Sequence, residues 1–442
     1  MKNSTQDPDF GATGQFELTG VYFVDKKVDA TFATTLGMEH MKSLVQLGAG
    51  QAHLHVLAQM ARHRRADLDV TLVTPHPYQT FGAMVPGHIA GHYSADECRI
   101  PLEPLLRDAG ARWISARCSG LDASTSSVML DYTHHSTQPD ISLDDGAGQR
   151  ASPQVPRPAV LSYNFLSIDT GAAMERRHLE ARVPGAFEHA LPVRPLNDFL
   201  NRWHLALNEA QATATSEPSR VFNVCVVGGS VEAIELVFAL QQGLQKCGVP
   251  TRLRLVTGGP AVLPGHPGSA QKRVGALLGS RQIDVNLNQC KRVRPDAVVL
   301  DNGQTLPSDL TVMAEGTHAP AWLTQSGLAL GPDGHILTNK HLQSTSHGNV
   351  FAAGDIAVRA DLPAGRNGVL AMQAGPDLAL NLLACVSNQP LNTHVPSERA
   401  LNVIGCGAGH AVAHWSGLSA EGAWAWRWKD RNDRAFVTTY QR

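Results

Sequence analysis

A chain of 442 residues exceeds what one ordinary hydrophobic core fills, which predicts two or three packed units. Its 43% hydrophobic and 17% charged content excludes a disordered chain, and 37 basic against 39 acidic residues leave a formal charge of -2, too little to draw the molecule onto nucleic acid. Seven scattered cysteines without a C-x-x-C pair, and no apolar run long enough for a bilayer span or a signal peptide, predict a cytoplasmic protein without disulfides.

In chain order, residues 1–40 show no apolar period and are predicted to be a flexible N-terminal extension. Ser43 to Leu47 reads as a buried strand that runs into Gly48-Ala49-Gly50. A helix from about Gln51 to Arg62 follows, with Leu54, Leu57, Ala58 and Ala61 at helical spacing, and Val70 to Val73 reads as the next strand, completing a βαβ opening. A further strand is expected near Arg112 to Ala116. The polar stretch 133–158 reads as an inserted surface loop, and Leu161 to Ile168 as an apolar run ending at Asp169-Thr170-Gly171.

A proline-rich linker with Pro184, Pro192 and Pro195 then separates this unit from a second βαβ plan. Its parts are a strand from Val221 to Val227, the turn Gly228-Gly229-Ser230, a helix from about Glu232 to Cys247, and a strand from Leu253 to Thr257. Further on, Val350 to Ala353 leads into Gly354-Asp355. The predicted fold is α/β: two Rossmann-like dinucleotide-binding domains plus a C-terminal segment. The first domain spans 41–185 and 313–388, the second 186–312, and the C-terminal segment 389–442.

A glycine turn between a strand and a helix lets backbone N–H groups approach a pyrophosphate at the positive end of the helix. The bland alternative is a tight turn with no ligand. His53 stands where a third glycine is usual and must either crowd the helix-strand contact or point outward. Val70 to Ala95 holds no acid for a ribose, which leaves the Thr74 hydroxyl as the substitute. In the second turn Ser230 and Ala233 replace glycines, and no acid ends the next strand, so NADH and NADPH are not distinguished. His88 and His92 suggest no metal site, because Pro86, Gly87 and Gly91 argue against a regular helix and no third ligand is evident.

Gly354-Asp355 after its strand, together with Thr170-Gly171 and the two glycine turns, resembles the pyridine nucleotide-disulfide oxidoreductase superfamily of flavoproteins, which includes type II NADH dehydrogenases. Met84 to Gly91, Leu166 to Gly171, the stretch 367–382 and Trp424 to Phe436 are similar to the flavoprotein module found alone or fused ahead of selenophosphate synthetase. The resemblance implies FAD held by Gly48, Ala49, Gly50, Thr170, Gly171, Gly354 and Asp355, with Pro86 near the isoalloxazine. It implies Gly228, Gly229 and Ser230 at a nicotinamide cofactor, Glu235 beside the nicotinamide, and Gln373 as a helix-start residue on the flavin and quinone side. A Glu235 salt bridge that only packs its helix, and Gln373 as a mere helix cap, are the alternatives.

The expected reaction passes electrons from NADH or NADPH through FAD to a small acceptor such as a quinone. The competing function is a flavin-holding binding or assembly protein beside selenium metabolism. Disulfide reductases are excluded because the first helix carries no cysteine. Sulfide:quinone oxidoreductases are disfavoured because Ser119 to Val224 has none either. The C-terminus mixes Trp415, Trp424, Trp426 and Trp428 with Arg427, Lys429, Arg431 and Arg434. That composition suits peripheral contact with a membrane face, or an element covering the flavin domain or a homodimer interface.

Overall fold

The computed structural model describes residues 41–132, 159–362, 368–396 and 401–441. The expected extension 1–40 and the inserted loop 133–158 lie outside them. In chain order the elements that position the site are β1 (Lys42–Leu47), α1 (Gln51–Arg62), β2 (Leu68–Val73), the short α2 (Val85–Ile89), β3 (Arg112–Ile114) and β4 (Phe165–Ile168). There follow β5 (Ala190–Pro192), β6 (Phe222–Val227), α3 (Val231–Lys246), β7 (Thr251–Val256), β8 (Asp284–Asn286) and β9 (Leu310–Met313). The chain ends with β10 (Val350–Ala352), α4 (Gly368–Val386), β11 (Asn402–Gly405), β12 (Ala411–Trp415), β13 (Leu418–Gly422) and α5 (Ala423–Tyr440).

Two five-stranded parallel sheets repeat one plan: β10-β4-β1-β2-β3 and β5-β9-β6-β7-β8. In each, the strand that opens a βαβ unit sits at the centre, so its turn lies beside the ends of its neighbours. Parallel sheets are covered on both faces, and their strands therefore read as near-continuous apolar runs. Leu44, Val45 and Leu47 of β1 and Val224 to Val227 of β6 are accordingly buried. Gln46 interrupts the run; it is fully buried, and neither of its amide atoms has a hydrogen-bond partner among the described residues.

Helix α1 crosses α4 at Gly375, where a Cβ would lie 2.9 Å from the Cβ of His55. The C-terminal segment forms an antiparallel sheet, β11-β12-β13, followed by α5. That sheet leans on the second unit, where Ser269 donates to the Gly417 carbonyl at 2.8 Å and Arg273 pairs with Glu421 at 3.5 Å. Helix α5 returns to the first unit: Phe436 stacks on Phe81 at 4.6 Å, and Arg434 pairs with Glu97 at 2.6 Å.

Candidate functional site

The β1–α1 turn closes around the side chain of Asp169, which leaves the end of β4. Asp169 Oδ2 accepts hydrogen bonds from the Ala52 and His53 amides, at 3.0 and 3.2 Å, in the first turn of α1. Its backbone carbonyl accepts from Gly50 N at 3.2 Å. A Cβ at Gly48 would strike the Asp169 backbone, and one at Gly50 its carboxyl. At Gly354, which has φ +73°, a Cβ would stand 2.6 Å from Asp169 Oδ1. Three glycine positions are thus shaped by one residue, two of them by its carboxyl. Burial pushes that carboxyl up to about 7, with the charge of Asp355 adding and the His53 and Ala52 amides opposing.

Of the two placements open to His53, the inward one is found: the side chain is fully buried between helix and strand. Its Nδ1–H donates to the Gly48 carbonyl at 2.6 Å, which leaves Nε2 to accept from the Ser167 hydroxyl at 2.8 Å. An imidazole here stitches α1 to β4 where a glycine would leave only backbone packing. Burial lowers it to about 4, so it is neutral at physiological pH.

Other residues of the first turn system show room for a ligand. Gly171 has φ +75° with open space where a Cβ would be, and the Thr170 side chain is exposed beside it. Gln51 Oε1, on the first residue of α1, is buried with no partner among the described residues. Ala49 is buried in the turn, and Asp355 lies on the short turn after β10. Thr74 is also buried, following β2, and its carbonyl accepts from the Trp113 indole at 2.9 Å. Gln373 lies past the first turn of α4, so it does not start that helix as the resemblance implied. The same helix presents Ala371 to Gly354.

At the second turn, Gly228 has φ +143° and would place a Cβ 3.0 Å from the Ala314 carbonyl. A Cβ on Gly229 would meet Thr257 at 3.4 Å. Ser230 is the N-cap of α3, its Oγ accepting from Ala233 N at 3.4 Å. Glu232, in the first turn, pairs with Arg194 at 3.0 Å. The N-terminus of α3 therefore already holds a hydroxyl and a carboxylate.

A small pocket lies where α2, α3, the turn after β11 and α5 meet, lined by Pro86, His92, Tyr93, Glu235, Trp426 and Lys429 among others. Gly87 is required here because a Cβ would strike the Tyr93 ring. Residues Val85–Ile89 do form one helical turn, against expectation, since proline near a helix start loses no needed hydrogen bond. Glu235 Oε1 accepts from Gly405 N at 2.7 Å and lies 4.0 Å from Lys429 Nζ. Lys429 also reaches Asp433 at 2.6 Å and donates to the Ala83 carbonyl at 2.8 Å. Burial raises Glu235 and Asp433, and Lys429 only partly offsets it. Burial alone would lower Lys429, but the two carboxylates outweigh it and lift the ammonium above its usual value.

His88 binds the Tyr93 carbonyl at 2.9 Å while His92 meets Gln242, so the two histidines share no ligand geometry. Glu175, His178 and His318 do approach one another, with Glu175 Oε2 at 3.8 and 3.6 Å from the two rings. All seven cysteines are free, and burial pushes Cys98, Cys118, Cys290 and Cys406 up to about 12. Sequence reasoning missed Asp169 and Lys429 as site residues. An acid closing an apolar strand was the signal for the first; nothing local marked the second.

Residues 42–381 match the pyridine nucleotide-disulphide oxidoreductase family. A sulfide-quinone reductase of Aquifex aeolicus is 23% identical over 376 residues, covering 79% of this chain and 78% of that protein. A probable NADH dehydrogenase of Dictyostelium discoideum is 23% identical over 333 residues, covering 72% and 68%. Among solved structures, the Aquifex aeolicus sulfide:quinone oxidoreductase superposes with a TM-score of 0.69 at 19% identity, covering 90% of this chain and 91% of that one. NDH2 of Plasmodium falciparum, solved with NADH, gives 0.69 at 13% identity, covering 91% and 98%. No helix among the described residues is long and apolar enough to cross a membrane.

Proposed function

The chain belongs to the pyridine nucleotide-disulphide oxidoreductase family, and from that premise we propose that it is an FAD-dependent oxidoreductase taking electrons from NADH or NADPH and passing them to a quinone-like acceptor. The observation that carries this reading is the repeated parallel sheet, each copy with a glycine turn after its central strand. In this reading 41–185 and 313–388 form the FAD-binding domain, 186–312 the nicotinamide-binding domain, and 389–442 the segment that joins them.

The residues present fit a flavin dinucleotide at the first turn: Gly171 has open space beside it, Thr170 is exposed and Gln51 Oε1 has no partner among the described residues, while Gly354 and Asp355 follow the nearby strand β10. A bound flavin supplies a carrier that accepts a hydride directly, so no side-chain acid or base is needed for that transfer. The chain's own work is orientation and exclusion of water. Pro86 and Tyr93 wall the pocket, and the Glu235–Lys429 pair fixes a buried dipole there. High thiol pKa values in free cysteines support electron passage without a redox disulfide, in contrast to the chemistry for which the family is named.

A second reading rests on Ser230 and Glu232, which load the α3 N-terminus with oxygen atoms and so work against a nicotinamide pyrophosphate. Under it the protein holds flavin without turnover, as a binding or assembly factor. Anaerobic mixing of the purified protein with NADH or NADPH tests both. Bleaching of bound flavin is expected; flavin that stays oxidised with either nucleotide would overturn the oxidoreductase reading and leave the second.

A further inference from the structure

The N-terminus of a helix after a glycine turn attracts an anion, because its first amides have no partner within the helix and its dipole is positive there. In this chain the amides of Ala52 and His53 already have their anion: Asp169, held by its position at the end of β4. Gly48, Gly50 and Gly354 pack against that residue so closely that side chains are excluded at all three. We propose that Asp169 is an internal stand-in for the dinucleotide pyrophosphate, so that FAD is captured only as Asp169 gives up its charge by taking one proton from solvent onto its carboxyl. The inference rests on the FAD reading above.

Two negative groups cannot share one pair of amides inside a buried turn, because Coulomb repulsion is poorly screened there. Among the described residues, the groups facing Asp169 supply no compensating cation. From the turn after β10 comes Asp355, a further negative charge. From α1 comes the His53 imidazole, neutral and fully engaged with Gly48 and Ser167. From α4, Ala371 stands beside Gly354, and β1 offers backbone alone. Burial already brings the carboxyl close to neutrality at physiological pH, so proton uptake demands little. Cofactor retention is thereby tied to pH through a single side chain.

The experiment measures FAD affinity of flavin-stripped full-length protein by equilibrium dialysis from about pH 6 to about pH 9, for the parent and for Asp169→Asn. The parent's dissociation constant is expected to rise about tenfold per pH unit above about pH 7, while Asp169→Asn shows a flat profile and binds more tightly at the alkaline end. A parent profile that is flat, or an Asp169→Asn profile that keeps the parent's slope, overturns the proposal while leaving the flavin reading intact. Failure of both proteins to bind FAD at every pH overturns both. Binding by the variant alone supports the proposal strongly. Should Asp169→Asn not fold, calorimetric FAD titration of the parent in two buffers of different ionisation heat reads the same quantity. Uptake of about one proton per FAD at about pH 8 supports the proposal, and uptake of none overturns it.

Discussion

Lys429 Nζ lies 4.0 Å from Glu235 Oε1, joining the last helix of the chain to the helix that follows the second glycine turn. Glu235 is buried, and Lys429 and Asp433 keep only 16% and 13% of their side-chain exposure, so the lysine is the cation that makes the two carboxylates, Glu235 and Asp433, tolerable. Lys429→Met is expected to cost about 3–5 kcal/mol, because removing one partner strands the others without solvent. Glu235→Gln with Lys429→Met should recover part of that loss, since the amide oxygen still accepts from Gly405 N. Chemical denaturation of the parent and the two variants checks this; a Lys429→Met protein as stable as the parent would show that the pair is solvated.

A second expectation concerns pH. Burial lowers His53 to about 4 in the fold against 6.5 for an ordinary imidazole, so the unfolded chain binds an extra proton in that window and stability falls as pH falls. Asp169 works the other way: raised from 3.8 to about 7, it gives the folded state an extra proton, and stability falls as pH rises through that range. Between about pH 4 and 6.5 the two cancel. Asp169→Asn removes only the second contribution, so the flavin-free variant should lose about 3 kcal/mol more than the parent on going from about pH 7 to about pH 4. Parallel stability curves for the two proteins would contradict this.

Asp355 lies on the turn from β10 where the family resemblance puts a ribityl contact. Asp355→Ala is expected to weaken FAD retention by about tenfold, the worth of one hydrogen bond to a charged group. Flavin absorbance per protein after gel filtration measures it, and undiminished occupancy would move the site elsewhere. Loss of the Asp355 charge also lowers the Asp169 carboxyl, so the affinity should be read at about pH 6, where that coupling matters least.

The aromatic C-terminus divides by face. Trp426 packs on His92 at 5.0 Å, and Phe436 is stacked against Phe81, whereas Trp424 and Trp428, one helical turn apart, are 48% and 43% exposed. Phe436→Ala should therefore cost about 2–4 kcal/mol, while Trp424→Ala with Trp428→Ala stays within about 1 kcal/mol of the parent. The same double variant separates packing from membrane contact better than truncation, which would strip Lys429 and Arg434 from their partners. Sedimentation with anionic vesicles that is lost in the double variant, with flavin retained, assigns the exposed face to a lipid surface. Equal sedimentation of both proteins removes that role.

What the sequence determined by itself is what neighbours along the chain encode. The apolar runs of β1 and β6, the amphipathic α1, and the glycines between strand and helix are set within a few residues, so both βαβ units were legible to within a residue or two. The glycines' reason was not. Gly50 and Gly354 are small because Asp169 stands between them, and that meeting depends on strand order β10-β4-β1, which brings three distant turns to one sheet edge. The inward turn of His53 has the same origin, since its acceptor and donor lie on β1 and β4 together. Lys429 was hidden for a further reason: a lysine in a basic, aromatic tail reads as solvated until the tail folds back and buries it against Glu235 and Asp433. Local periodicity decides where strands and helices form; only tertiary packing decides which charges lose their water, and so which of them govern the site.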